Sequence, residues 1–275
     1  MATKTLICGL SGTGKSRSMK DFATANEKIA VVNPVNKPLP FKHKFEMLNG
    51  ETDSEKIVEF MKQTTAKVIV VDDFQYLLSI PYMKRIKETG WDKYNDFASN
   101  YMNVIDVCNE LPDDVTVYFM THTEVLEDGT ETVKLIGKLL REKICIEGLF
   151  TIVLKTLVND SKYYFVTQNS GRDNTKSPED MFPTFAIENN LKYVDEKIRN
   201  YYEIGDFKSD EEIAEVEEEV AKPEIEKPEP KRRRRASNDR IKKVSEENAS
   251  LDSLDGFETI IPAEEVPKRR RRRSE

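Results

Sequence analysis

The chain has 275 residues but only two histidines, three cysteines and one tryptophan. Two histidines cannot build a histidine-rich metal centre. The cysteines, Cys8, Cys108 and Cys145, stand singly inside apolar runs and never at C-x-x-C spacing. They read as small buried residues of a reducing compartment, not as disulfide partners or zinc ligands. No apolar run approaches the ~18–20 residues of a membrane span. The first residues run straight into a strand pattern, so no secretory leader is expected. Hydrophobic residues are also scarce, 38% against 34% charged, and the net charge of −7 averages over strong local asymmetry. That balance points to a folded part diluted by an unfolded one, while the cysteine pattern and the lack of a spanning run or leader lead us to expect a cytoplasmic protein with no membrane partner.

What is present is concentrated near the start. Gly9-Leu10-Ser11-Gly12-Thr13-Gly14-Lys15-Ser16 fits G-x-x-x-x-G-K-[ST], with an apolar run (Thr5 to Cys8) entering it and an amphipathic stretch (Ser16 to Ala25) leaving it. The glycines let successive backbone N–H groups turn inward around a phosphate. In that pattern Lys15 reaches the β- and γ-phosphates of a nucleotide, Ser16 ligates Mg²⁺, and the following helix adds its positive end.

The segments that follow alternate. Lys28 to Asn33 is a β-branched run, Pro34, Pro38 and Pro40 interrupt regular structure, and Phe45 to Leu48 fits a short strand. Asp53 or Ser54 can cap a helix running through Thr64, and Lys67 to Val71 is apolar at every position after the lysine. Further on, the spacing predicts a helix over 94–111, a strand over 115–121, a hairpin turning at Asp128-Gly129, a short helix over 138–146, a second hairpin over 150–168, and a helix over 187–202. Strand and helix in alternation predict an α/β fold with a mostly parallel sheet, occupying residues 1–205.

Val68-Ile69-Val70-Val71-Asp72-Asp73 is the second informative motif. Beside a phosphate loop, Asp72 would hold the Mg²⁺ shell. Asp73 is either a base for an attacking water or an N-cap for a helix over 74–78. Thr121-His122 closes the next strand, where His122 is a candidate sensor of the γ-phosphate. Arg172 and Lys176, in the polar loop 169–177, offer a cation for a neighbouring subunit's nucleotide, a nucleic-acid contact, or a solvated loop. Arg141 and Lys138 are weaker candidates of the same type.

Residues 206–275 turn acidic and then basic, with clusters at Arg232-Arg235 and Arg269-Arg273. Such a segment buries too little apolar surface to offset its ordering entropy, so a disordered tail is expected. The clusters are separated by a span whose r.m.s. reach is roughly 30 Å. They suit salt-sensitive contacts with nucleic-acid phosphates, with a nuclear localisation signal or pairing to the acidic stretch 211–229 as rivals. Leu251 to Ile261 has enough apolar character for a docking motif.

Four segments together, GLSGTGKS (Gly9 to Ser16), VIVVDDFQYL (Val68 to Leu77), YFMTHTE (Tyr118 to Glu124) and YYFVTQNSGRDNTKSPEDMF (Tyr163 to Phe182), carry a resemblance. Over about residues 1–185 the chain resembles small phage P-loop ATPases with a RecA/Rad51-like core that act in single-strand annealing and recombination. The resemblance implies ATP and Mg²⁺ as cofactors, homo-oligomers on single-stranded DNA, and partnership with a single-strand binding protein. It departs from RecA-type recombinases in two places. The second strand ends in Asn33-Pro34 where they carry a catalytic glutamate, and no aromatic oligomerisation linker precedes the core. Two other uses of a phosphate loop stay open: a phosphotransferase, and a nucleotide-bound adaptor with slow hydrolysis. A GTPase is disfavoured because no N-K-x-D motif is present.

Overall fold

The computed structural model describes residues 1–220. Strands β1 (Thr3–Gly9), β2 (Ile29–Asn33), β3 (Glu46–Asn49), β4 (Val68–Val71), β5 (Thr116–Val125), β7 (Ile152–Asn159), β8 (Lys162–Val166) and β9 (Ala186–Glu188) form one sheet in the order β3-β2-β4-β5-β1-β7-β8-β9. The five pairings from β3 across to β7 are parallel, and β7-β8 and β8-β9 are antiparallel. A further strand, β6 (Glu131–Val133), pairs antiparallel with the end of β5.

Alternation along the central strands explains why they read as continuous apolar runs. Leu6, Val32, Ile69, Val71, Val117 and Phe119 point to one core, and Ile7, Val31, Val68, Val70, Tyr118 and Met120 to the other. The first core is closed by helices α2 (Ser54–Gln63), α3 (Tyr76–Lys84) and α4 (Asp92–Asp106), the second by α1 (Lys20–Thr24) and α5 (Leu191–Tyr202). Both faces are therefore covered, and neither can carry the polar alternation of a sheet with one wet face. No helix among the described residues is long and apolar enough to cross a membrane.

Local chemistry sets most boundaries. Asp53 caps α2, accepting a hydrogen bond from the Glu55 amide at 2.9 Å. Asn190 caps α5 in the same way, through the Tyr193 amide at 3.0 Å. Between β7 and β8 the two-residue turn places Asp160 and Ser161 at φ 47° and 62°, the left-handed pair that a tight hairpin requires. In the first hairpin the Asp128 carboxylate accepts from the Thr130 amide at 2.9 Å.

Four elements differ from the sequence expectation. The stretch after the glycine loop is not one amphipathic helix but a 3-10 turn (Ser16–Met19) followed by the short α1. Residues 139–143 form a π-type turn, and β9 was not expected. Residues 206–220, assigned by composition to the disordered tail, contain α6 (Asp210–Val220), whose Ile213 is buried and which packs with α5. Val216 packs against the second core, and Glu217 accepts from the Tyr193 hydroxyl and pairs with the Lys197 ammonium of α5, contacts that composition alone does not reveal. The arginine clusters, the Leu251 to Ile261 island and the rest of the expected tail lie outside the described residues.

Helix α5 is fastened to the sheet by a buried polar network. The Arg199 guanidinium donates to Asp195 at 2.7 Å, and the other Asp195 oxygen accepts from Thr116 at 2.5 Å and Tyr118 at 2.7 Å. Arg199 also reaches the backbone carbonyls of Asp114 and Lys67. Removing the guanidinium would leave a buried carboxylate without its counter-charge. Arg199→Ala is expected to cost about 3–5 kcal/mol of folding stability, read by urea denaturation. Burial pushes the Cys8 and Cys108 thiols up to about 12, whereas Cys145 is exposed. A thiol reagent at neutral pH should therefore label Cys145 in the native protein, with Cys8 and Cys108 reacting only after denaturation.

Candidate functional site

In a parallel sheet the strands deliver their carboxyl ends to one edge, and here four of them converge. Gly9, the last residue of β1, lies in register with His122 on β5, and Val32 of β2 with Val71 of β4. The loop after β1, the acids after β4, His122 and the turn after β2 therefore meet in one place. Ser11, Gly12, Gly14, Lys15, Ser16, Asp73 and His122 line a cleft of about 560 Å³, joined by Lys37 from the turn after β2 and Tyr163 from β8.

The glycine loop is closed on itself. Lys15 is buried, and its ammonium donates to the carbonyls of Gly9 and Leu10, both at 2.8 Å. Burial lowers its pKa to about 8, although the nearby Asp73 and Asp72 charges oppose that shift. An ammonium held this way has only carbonyl dipoles as first partners, and it is suited to an incoming anion that supplies full counter-charge. Thr13 braces the loop through the carbonyl of Leu10 and the Thr156 hydroxyl, at 2.7 and 2.6 Å. Gly14 has φ 101°, and a Cβ there would lie 2.7 Å from the Tyr163 ring, so the loop's closeness to β8 depends on that glycine. Leu10 is exposed.

Ser16 and Asp72, far apart in sequence, are in direct contact. The Ser16 hydroxyl lies 2.8 and 3.0 Å from the two Asp72 carboxylate oxygens. Burial, reinforced by the Asp73 charge, raises the Asp72 pKa. No group of three or more His, Cys, Asp or Glu side chains among the described residues could hold a metal ion. A metal here would take Ser16 and Asp72 from the protein and its other oxygens from a phosphate ligand or water. That donor set suits Mg²⁺, which binds one or two carboxylates together with phosphates.

Asp73 adopts φ 52°, a left-handed backbone that a non-glycine residue rarely takes. Its carboxylate does not cap a helix: α3 begins at Tyr76 with Gln75 at the cap position and no side-chain cap bond. Instead, one oxygen meets His122 Nε2 at 3.2 Å and the other is paired with the Lys37 ammonium. Burial pushes the Asp73 carboxyl up, but the bonds from His122 and Lys37 outweigh it and hold the pKa below the usual carboxylate range. His122 is itself positioned from behind, its amide donating to the Gln75 side chain at 3.1 Å.

Lys37 is the site residue that sequence reading missed. It lies in the Pro-rich loop, where no motif marks it. The signal that could have found it is topological: β2 lies beside β4, so the turn after β2 opens onto Asp72-Asp73. By contrast, Arg172 does not line the cleft. Its carbonyl accepts from the Glu131 amide at 2.8 Å, and its guanidinium lies beside Gly129 at the first hairpin's tip. The loop carrying it is pinned to β7 by paired backbone bonds between Lys176 and Val153. Arg141 pairs with Glu124 at 3.2 Å, and with Lys138 it lines a separate hollow of about 1020 Å³ that contains none of the glycine-loop residues.

A Cβ at Gly9 would lie 2.0 Å from the Thr156 hydroxyl that braces the loop. Gly9→Ala is therefore expected to lower stability by about 1–3 kcal/mol, measured by chemical denaturation. No family model matches this sequence, and no curated protein matches it.

Proposed function

We propose that the chain is a P-loop ATPase with a RecA-like core that binds Mg-ATP and acts on single-stranded DNA, as the resemblance to phage annealing and recombination ATPases suggests. The observation that carries this reading is the Ser16 hydroxyl on the Asp72 carboxylate beside a buried Lys15. A G-K-S loop after β1 and an acid after β4, two strands separated in the sheet by β5, meet in the contact that Mg-nucleotide chemistry requires.

Each residue then has a part. The amides of Gly12 to Ser16 and the Lys15 ammonium hold the β- and γ-phosphates. Ser16 and Asp72 hold Mg²⁺, which when bound neutralises charge on the phosphate oxygens. Asp73, ionised and fixed by His122, accepts a hydrogen bond from the attacking water and orients it. His122 would sense the γ-phosphate, a role supported by its contact with Asp73 and its register with Gly9. The acid that RecA-type enzymes carry after their second strand is replaced in this scheme by Asp73, after β4.

The nucleic-acid part of the reading rests on the arginine clusters at Arg232-Arg235 and Arg269-Arg273, which would release counterions on meeting phosphates. ATP turnover by the full chain is expected to rise with single-stranded DNA. Lys15→Ala should abolish it, and Asp73→Asn should lower kcat by about 10²–10⁴-fold. Phosphate release with no phosphorylated acceptor separates this activity from a phosphotransferase. Removing residues 221–275, which spares α6, should weaken DNA binding. Its salt dependence should flatten as well, the log–log slope falling by ~0.7 for each DNA phosphate no longer neutralised. A full chain that neither binds single-stranded DNA at low salt nor responds to it would overturn the DNA reading.

A further inference from the structure

Lys37 has no part in the scheme above, yet it lines the cleft and pairs with the Asp73 carboxylate. The two halves of that pair differ in freedom. The Asp73 side chain is 2% exposed and the Lys37 side chain 44%, so the ammonium is the half able to leave. Its backbone, in contrast, is anchored. The Asn33 side-chain amide donates to the Lys37 carbonyl at 2.8 Å and to the Asn49 side chain at 3.0 Å, and the Asn36 backbone amide returns to the Asn33 carbonyl at 3.1 Å. A four-carbon stem on a fixed base can move its charge a few ångströms without moving the loop.

Other described cations lining the cleft are Lys15, Arg17 and Lys20. Lys15 is tied to the loop carbonyls, Arg17 lies over the Tyr163 ring at 4.7 Å, and Lys20 belongs to α1. Among these, Lys37 is the one paired with Asp73. Arg172, which the sequence offers to a neighbouring subunit's nucleotide, does not line the cleft of its own chain.

We propose that Lys37 is a catalytic cation supplied in cis: it exchanges Asp73 for the γ-phosphate when nucleotide enters, stabilising the charge on the transferring group and freeing the Asp73 carboxylate for the attacking water. This rests on the hydrolysis reading above. The exchange follows from charge, because one ammonium offered a single carboxylate or a terminal phosphate bearing up to two negative charges is drawn to the phosphate. In the reaction the water oxygen bonds to the γ-phosphorus as the bond to the β,γ-bridging oxygen breaks. ADP keeps that electron pair, and the water's proton passes to Asp73 and then to solvent. No partner subunit's arginine is needed for the step.

The test uses the full chain with Mg-ATP. Lys37→Ala is expected to lower kcat by about 10²–10³-fold, the usual cost of one transition-state donor, while ATP affinity measured by calorimetry changes less than about tenfold. Lys37→Gln, which keeps a donor for Asp73 but no charge, should lose as much and serves if the alanine variant does not fold. Mixing Lys37→Ala with Lys15→Ala chains, which still carry Lys37, should restore nothing. Turnover of either Lys37 variant within about threefold of the parent would overturn the proposal. So would recovery on mixing, which means action in trans, or a loss of affinity equal to the loss of kcat/KM, which means a binding cation only. An unmodified chain that binds ATP without hydrolysing it overturns the hydrolysis reading itself, and the role of Lys37 with it.

Discussion

Two adjacent carboxylates at the end of a buried strand are the constraint around which this site is arranged. Asp72 and Asp73 are both almost wholly enclosed, and placing like charges side by side out of water is costly unless each has partners. The protein separates their environments. Asp72 receives a neutral hydroxyl from Ser16 and the Asp73 amide, and its pKa is raised. Asp73, turned away by its left-handed backbone, receives Lys37 and His122, and its pKa is lowered. Divergent environments for paired acids are how one site assigns them different work.

The same constraint explains why four strand ends have to meet. Ser16 comes from the loop after β1, His122 from β5, and Lys37 from the turn after β2, and none is near Asp73 in sequence. The order β2-β4-β5-β1 sets the strands bearing these groups edge to edge, and the parallel directions put all four loops on one side. Gln75 and Asn33 complete the arrangement from below, the first holding His122 and the second the Lys37 turn. In the proposed ATPase these supporting amides would matter because positioning and charge, more than covalent chemistry, accelerate phosphoryl transfer.

Much of the fold was legible because its signals are local. An apolar run covered on both faces, an Asp before α2, and an Asp-Gly turn each state their structure within a few residues. The elements that escaped include two decided by distant partners: β9 by its pairing with β8, and α6 by its packing with α5 and the bonds of Glu217 to Tyr193 and Lys197. The glycine loop and the two acids were visible for the same local reason, and so was His122 at the end of an apolar strand. The expectation for Asp73 was divided between base and cap, and sequence could not divide it further. That its carboxylate does not cap α3 depended on a backbone dihedral and on two partners, His122 on β5 and Lys37 in the turn after β2.

What the sequence determined by itself was the set of groups able to meet a phosphate: a flexible glycine loop with a lysine and a serine, and acids ending a strand that must be buried. Which of the many other charges join them was left to the packing of the strands. Lys37 and Arg172 are equally plain in the sequence, one in a proline-rich loop and one in a polar loop. Strand order sends the first to Asp73 and leaves the second at a hairpin tip. Residue type limits what a charge can do, but only the path of the chain through space sets the distance over which it acts.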